Sequence, residues 1–276
     1  MKSVVIVSRN DGYGENLLER ATLCLNYMTK TFDEVIYVDY NSEGISLIEQ
    51  IKVNLTPRDN LKEIIVTPEQ HKKLIDGKRT LDIVEVYGRN IGIRHASGDI
   101  IVCTNIDIIP PTTNILDNFI KYNFDKNTFY TFSRKNVKIE VDLNNYEDNE
   151  NLRTTLLMNN RLMVPKGNAN GIVKHARIMC CGDFQMAHKD VWNAIKGFEE
   201  SFYLRGMADT QIQMKAEITG YPVLGLYDLP LFHIEHGYGD RLDDKTLYNP
   251  NIYPEVPSTN EDTWGFTNEK FIIKQR

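Results

Sequence analysis

Short apolar runs alternate with helix-spaced apolar patterns through the first hundred residues. Val4–Ser8 is an apolar run that stops at Arg9-Asn10-Asp11-Gly12, and Leu17, Leu18, Ala21, Leu25 and Met28 then recur at helical spacing. Val35–Val38, Ile64–Val66 and Ile100–Cys103 predict three more strands. Helical patterns over 45–51 and 84–96, and a polar, helix-compatible stretch after Pro68, lie between them. Strands separated by helices favour right-handed β-α-β units and a mostly parallel central sheet flanked by helices, an α/β fold. In such sheets ligands bind beyond the carboxyl ends of the strands. Here those ends carry Arg9, Asn10, Asp39, Asn41, Asn105 and Asp107, polar residues that each follow an apolar strand.

The second half is less regular. It holds a strand at Phe129–Phe132, an acidic, asparagine-rich loop at Glu140–Asn151 and a turn-rich candidate lid at Pro165–Asn170. Helices are predicted at Val191–Ile195 and Ala208–Ile218, and an extended segment at Leu229–His236. The chain beyond Gly237 is irregular, with prolines at 250, 254 and 257, and reads as a tail wrapped on the domain.

Composition narrows the class. The chain has 276 residues, a net charge of −6 and 41% hydrophobic residues, enough for one large domain with its own core. The acidic balance opposes a nucleic-acid partner, whose footprint would be basic. No apolar run approaches the roughly 20 residues of a membrane span, and the N-terminus reads as a buried strand instead of a signal peptide. Four cysteines, with Cys180 and Cys181 adjacent, form neither a disulfide framework nor a C-x-x-C zinc pattern. A cytoplasmic, thiol-reducing setting is the expectation.

Three constellations could carry chemistry. In Asn105-Ile106-Asp107 two oxygen-bearing side chains at i and i+2 of an extended segment point the same way, toward a hard cation or a sugar hydroxyl. The bland reading is a polar strand end capping a turn. In His233-Ile234-Glu235-His236, an extended backbone puts His233 and Glu235 on one face and turns His236 away; a helical one would make the two histidines neighbours. Pro230 and the flanking apolar residues favour the extended form. Asp209 follows Gly206-Met207-Ala208 at a predicted helix N-terminus, where a carboxylate either caps amides or serves as a general base.

Taken in order, these segments resemble nucleotide-sugar glycosyltransferases of the glycosyltransferase-A fold, family-2-like, with a galactosyltransferase-type acceptor segment. The resemblance rests on Ser8-Arg9-Asn10-Asp11, Val38-Asp39-Tyr40-Asn41-Ser42, Gly88-Arg89-Asn90-Ile91-Gly92 and Thr104-Asn105-Ile106-Asp107. It continues through Cys181-Gly182-Asp183-Phe184 to Trp192, Gly197-Phe198-Glu199-Glu200, Asp209 and His233–Gly237. It implies a catalytic domain over 1–240, with a nucleotide half (1–110) and an acceptor half (111–240), and a C-terminal extension over 241–276.

By resemblance Ser8, Arg9, Asn10, Asp39, Asn41, Arg89, Asn90, Asn105 and Asp107 would hold the nucleotide and diphosphate. Asp107 and His233 would bind Mn²⁺ or Mg²⁺. Asp183, Phe184 and Trp192 would shape the acceptor or sugar pocket, and Asp209 would deprotonate the acceptor hydroxyl in an inverting transfer. The implied partners are a nucleotide-sugar donor, commonly a UDP-sugar, and a glycan or other hydroxyl acceptor. Two positions depart from the pattern: Asn105 stands where the family's D-x-D motif has its first acid, and Ala208 stands beside Asp209 where an acid pair is usual. They motivate one alternative, a non-catalytic nucleotide-sugar or glycan-binding protein on the same fold. A second, a sugar-phosphate nucleotidyltransferase, shares a Rossmann-like half, but Arg9-Asn10-Asp11-Gly12-Tyr13-Gly14 is only superficially like its phosphate loop.

Overall fold

A computed structural model of the chain describes residues 1–78, 80–138, 172–174, 181–201, 208–226, 229, 231–237 and 259–276. The acidic loop at 140–151, the turn at 165–170, Cys180 and the prolines of the tail lie outside the described residues. Strand β1 (Lys2–Ser8) is buried along its whole length, as its unbroken apolar run requires of a strand covered on both faces. It pairs in parallel with β2 (Glu34–Tyr40) on one side and β4 (Ile100–Thr104) on the other, and β3 (Leu61–Val66) extends the parallel run beyond β2. Successive side chains of β1 enter opposite layers. Val4 and Ile6 join a core with Leu17, Ala21, Leu25 and Met28 of α1 (Leu17–Thr31), whereas Val5 and Val7 meet Tyr87 and Ile91 of α4 (Glu85–His95).

Two glycines let α4 approach the sheet. A methyl group at Gly88 would sit 2.5 Å from Val7 Cγ1, and one at Gly92 would sit 2.3 Å from Val5 Cγ1. The four-residue spacing puts both on one helix face. This close approach carries Arg89, between them, to the carboxyl ends of the strands. Gly92→Ala is accordingly expected to destabilise the fold by about 1–3 kcal/mol through overpacking against the central strand. Urea unfolding checks this: the midpoint should fall with the slope unchanged.

Between these landmarks the chain follows its sequence signals. Helix α2 (Leu47–Ile51) begins at a Ser46 cap, and α3 (Pro68–Ile75) begins at a capping box formed by Thr67 and Gln70. Beyond β4 lie β5 (Ile108–Ile109), α5 (Thr113–Asn123), β6 (Phe129–Phe132), β7 (Lys135–Val137) and β8 (Ile172–Lys174). Then come β9 (Cys181–His188), α6 (Lys189–Ala194), α7 (Ala208–Ile218), β10 (Val223–Leu226), β11 (Phe232–Ile234) and β12 (Ile272–Gln275).

The central sheet has the order β12-β3-β2-β1-β4-β9-β6-β10-β8, and a small sheet has the order β5-β11-β7. Strand β9 runs antiparallel to both β4 and β6, so the parallel part of the sheet continues into a mixed part. Its alternation has a purpose: Phe184 and Met186 enter one core layer, while buried Asp183 and Gln185 alternate with them.

The described end of the tail packs on the domain. Trp264 is buried under the Arg94 guanidinium, Phe266 meets Tyr87 edge-on, and β12 adds antiparallel to β3. The described thiols Cys24 and Cys103 are free and buried. Among the described residues no helix is long and apolar enough to cross a membrane.

Candidate active site

The small sheet gathers the first cluster. Pairing of β11 with β5 sets His233 opposite Ile108, and the Ile234 amide donates to the Asp107 carbonyl at 3.0 Å. Beyond Ile234 the strand ends, the Glu235 amide binds the Val137 carbonyl, and the chain turns so that His236 comes back over Asp107. His236 Nε2 lies 2.9 Å and His233 Nε2 3.6 Å from Asp107 Oδ2. Ligand atoms of Asp107, His233 and His236 all lie within 4.8 Å of one another.

This donor set suits a divalent cation. Burial alone would raise the Asp107 carboxyl, but contacts from His233 and His236 outweigh it and hold the group well below the usual carboxylate range. Asp107 Oδ1 and His233 Nδ1 are buried without a hydrogen-bond partner among the described residues. Such atoms are costly to leave alone and are natural ligand positions. His236 Nδ1 lies 2.7 Å from the Gly237 carbonyl and is assigned as the donor, which leaves Nε2 to face the cluster.

The loop after β1 backs the cluster. Gly14, with φ +75°, passes so close that a Cβ there would be 2.3 Å from His236 Nδ1. Tyr13 meets the His236 ring edge-on at 5.3 Å, and the Arg20 guanidinium donates to the carbonyls of Tyr13, Gly14 and Glu15.

A second cluster surrounds Arg89. Its buried guanidinium donates to Glu85 at 3.1 Å, Asn105 Oδ1 at 2.8 Å and Asp209 Oδ1 at 3.3 Å. Burial opposes the charge of Arg89, yet Glu85 and Asp209 more than offset it and keep the group firmly protonated. Asn105 Nδ2 donates to Asp183 Oδ1 at 2.7 Å, and Arg134 pairs with the other Asp183 oxygen. Asp209 stands in the first turn of α7, below a Gln185 side chain that binds its carbonyl. The dense protein surroundings, with Asp183 and Glu85 nearby, push its carboxyl up to about 6 against the pull of Arg89. Its side chain is nonetheless 43% exposed, so protein encloses the carboxylate without sealing it from an incoming group.

The nucleotide-side residues gather at the ends of β1 and β2. Ser8 and Asp39 are register partners. Buried Asp39 accepts from the Ser42 and Tyr37 hydroxyls, and burial raises its carboxyl. Arg9 donates to the Asn41 carbonyl and pairs with Asp82 and Glu43; Asn10 binds Ser42 through its amide and the Ile45 carbonyl through its side chain. Asn41 donates to the Asp82 carbonyl. A cleft of about 250 Å³ adjoins them, lined by Asp39, Ser42, Ile45, Ser46, Thr67 and Lys274 among others.

Three of the residues singled out in the sequence sit elsewhere. The Asn90 side chain is taken up by Phe198 and Glu200, fixing the turn after α6. Phe184 is buried against Phe132, and Trp192 is buried between Phe129 and Phe198 with its indole N–H on the Ile101 carbonyl. Conversely, His236, which an extended backbone would turn away, joins the site, as do Glu85, Arg134 and Gly14, which were not singled out. A switch from strand to turn after Ile234, hinted at only by Gly237, was the signal for His236.

No protein-family model matches the chain, and no curated protein sequence matches it. Solved structures do. S. aureus TarS 1–349 aligns with 84% of this chain and 60% of its own, with a TM-score of 0.53 and 17% identity. GalNAc-T7, solved with UDP, GalNAc and Mn²⁺, aligns over 87% of this chain and 44% of its own, with a TM-score of 0.55 and 13% identity. The mannosyltransferase PcManGT from Pyrobaculum calidifontis, in complex with GDP-Man and Mn²⁺, aligns over 84% and 56%, with a TM-score of 0.50 and 18% identity. The chain thus spans less than two thirds of the length of each. Likeness at this level establishes the fold, which is glycosyltransferase-A, the fold of nucleotide-sugar transferases.

Proposed function

We propose that the chain transfers a sugar from a nucleotide-diphosphate sugar, a UDP-hexose by resemblance, to an acceptor hydroxyl with inversion. One observation carries the reading. Residues 105–107 join the two clusters, because Asp107 belongs to the histidine group while Asn105 binds the arginine that holds Asp209. A leaving-group site and a base site are thereby tied to one short segment. The structures of GalNAc-T7 and PcManGT, which contain UDP or GDP-Man with Mn²⁺, support the same assignment.

Asp107, His233 and His236 would hold the Mn²⁺ or Mg²⁺, which when bound neutralises charge on the diphosphate. Local positive charge is needed in so acidic a chain, and both Arg9 and Arg89 already have acidic partners. Asp39 and its neighbours at the β1 and β2 ends would bind the nucleoside, with the adjoining cleft available to the base. Asp209 would accept the proton of the acceptor hydroxyl, and Arg89 keeps the carboxylate in place. Asp183, held by Asn105 and Arg134, would present its polar edge to the sugar.

A thermal-shift screen of nucleotide sugars with and without Mn²⁺ tests this. A ligand at about 100 times its Kd stabilises by about 2.7 kcal/mol, so the matching donor should raise Tm by several degrees, and more with the metal. Donor hydrolysis with Mn²⁺ separates a transferase from a binding protein on the same fold, the alternative that Asn105 and Ala208 motivate. No shift with any nucleotide sugar would sink both.

A further inference from the structure

We propose that Asn105 is a positioning residue required to be an amide, and not a weakened metal ligand: it links Asp183 to Arg89 and so sets the guanidinium that holds Asp209. The proposal rests on Asp209 acting as the base, as argued above.

The geometry leaves one chemistry for this position. An arginine can only donate and an ionised carboxylate can only accept, so a group bridging them needs one acceptor and one donor. Asn105 supplies both, taking Arg89 on Oδ1 at 2.8 Å and giving Nδ2 to Asp183 at 2.7 Å. Flipping the amide would set its N–H against Arg89 and its oxygen against Asp183, so the orientation is determined by its partners. Both polar ends are thereby engaged, each with a charged partner.

Charge points the same way. Two guanidinium groups, Arg89 and Arg134, face three carboxylates, Glu85, Asp183 and Asp209. A carboxylate at 105 would add a fourth within hydrogen-bond distance of Asp183 and compete with Asp209 for Arg89. Restoring the acid that D-x-D proteins carry would therefore damage this site. Arg89 meets Asn105 through Nη2 at 2.8 Å and Asp209 through Nη1 at 3.3 Å, so the amide fixes the plane of the guanidinium that faces the base.

Three variants decide the matter: Asn105→Ala, Asn105→Asp and the swap Asn105→Asp with Asp183→Asn. In the swap an Asn at 183 can accept from Arg134 and donate to the carboxylate at 105, which still receives Arg89. The chain of hydrogen bonds and the net charge are both kept. Mn²⁺ affinity by titration, Tm, and kcat and KM for donor hydrolysis are the readouts.

For Asn105→Ala, Mn²⁺ affinity should change by less than about threefold, while kcat falls about tenfold or more with donor KM little moved. Asn105→Asp should fall further in kcat and lose several degrees of Tm. The swap should recover about tenfold of the kcat lost by Asn105→Asp, together with its Tm. Tighter Mn²⁺ binding by more than about tenfold in Asn105→Asp, with kcat raised, would overturn the proposal, as would a swap no better than the single change. If the wild-type chain hydrolyses no nucleotide sugar, the transferase reading fails, whereas Mn²⁺ affinity and Tm still decide what Asn105 does.

Discussion

Asp209→Asn is expected to lower kcat for sugar transfer by about 10³-fold while leaving donor affinity within about threefold. The amide keeps the shape and can still accept from Arg89, but it cannot take a proton. The environment makes Asp209 a better base than an ordinary aspartate. Burial, then Asp183 and Glu85, raise its carboxyl to about 6, and Arg89 stops it from going higher. The wild-type kcat/KM should therefore rise with pH through about 6 and level off above it, because only the ionised form accepts the hydroxyl proton.

Stability carries the opposite sign. A carboxyl raised in the folded state holds its proton more tightly there than in the unfolded chain. Its contribution to stability is thus full below its ordinary value of 3.8 and is lost as pH rises toward 6. Asp209→Asn should flatten that part of the Tm profile without lowering Tm at neutral pH. A variant that keeps its wild-type kcat would remove Asp209 from the chemistry.

The first hundred residues were legible because their signals are local. Apolar runs of three to five residues, ended by polar turns, located β1 to β4. The second half was less legible for physical reasons. Helix α5 carries Ile115, Leu116, Phe119 and Ile120 on one face, but Thr113, Asn114, Asp117, Asn118 and Asn123 have low helix propensity and only Leu116 and Phe119 are buried. Strand β9 alternates Asp183 and Gln185 with Phe184 and Met186, so half of its side chains look like loop until α7 and Arg134 are placed beside them. Asn90 looked like a ligand residue because nothing local shows that its amide binds Phe198, more than a hundred residues away.

The same limit governs the metal site and yields the second large effect. Alternation along an extended segment pairs His233 with Glu235, whereas the structure pairs His233 with His236 and leaves Glu235 exposed. Two substitutions test that arrangement. His236→Ala should weaken Mn²⁺ binding by more than about 100-fold, since even residues that only support a ligand are worth roughly 10–100-fold. Glu235→Ala should leave it unchanged.

Titrating Mn²⁺ into each variant and the parent at matched pH checks both. Affinity in the parent should tighten as pH rises, because ligand groups must be deprotonated before they can bind a cation. The geometry sharpens that expectation. His236 Nδ1 lies 2.7 Å from a carbonyl while Nε2 lies 2.9 Å from the Asp107 carboxylate, so the ring is already turned with Nε2 toward the candidate site. A cation held at Nε2 would leave the Nδ1 contact in place. Loss of Mn²⁺ binding in Glu235→Ala with retention in His236→Ala would dismantle the cluster described here.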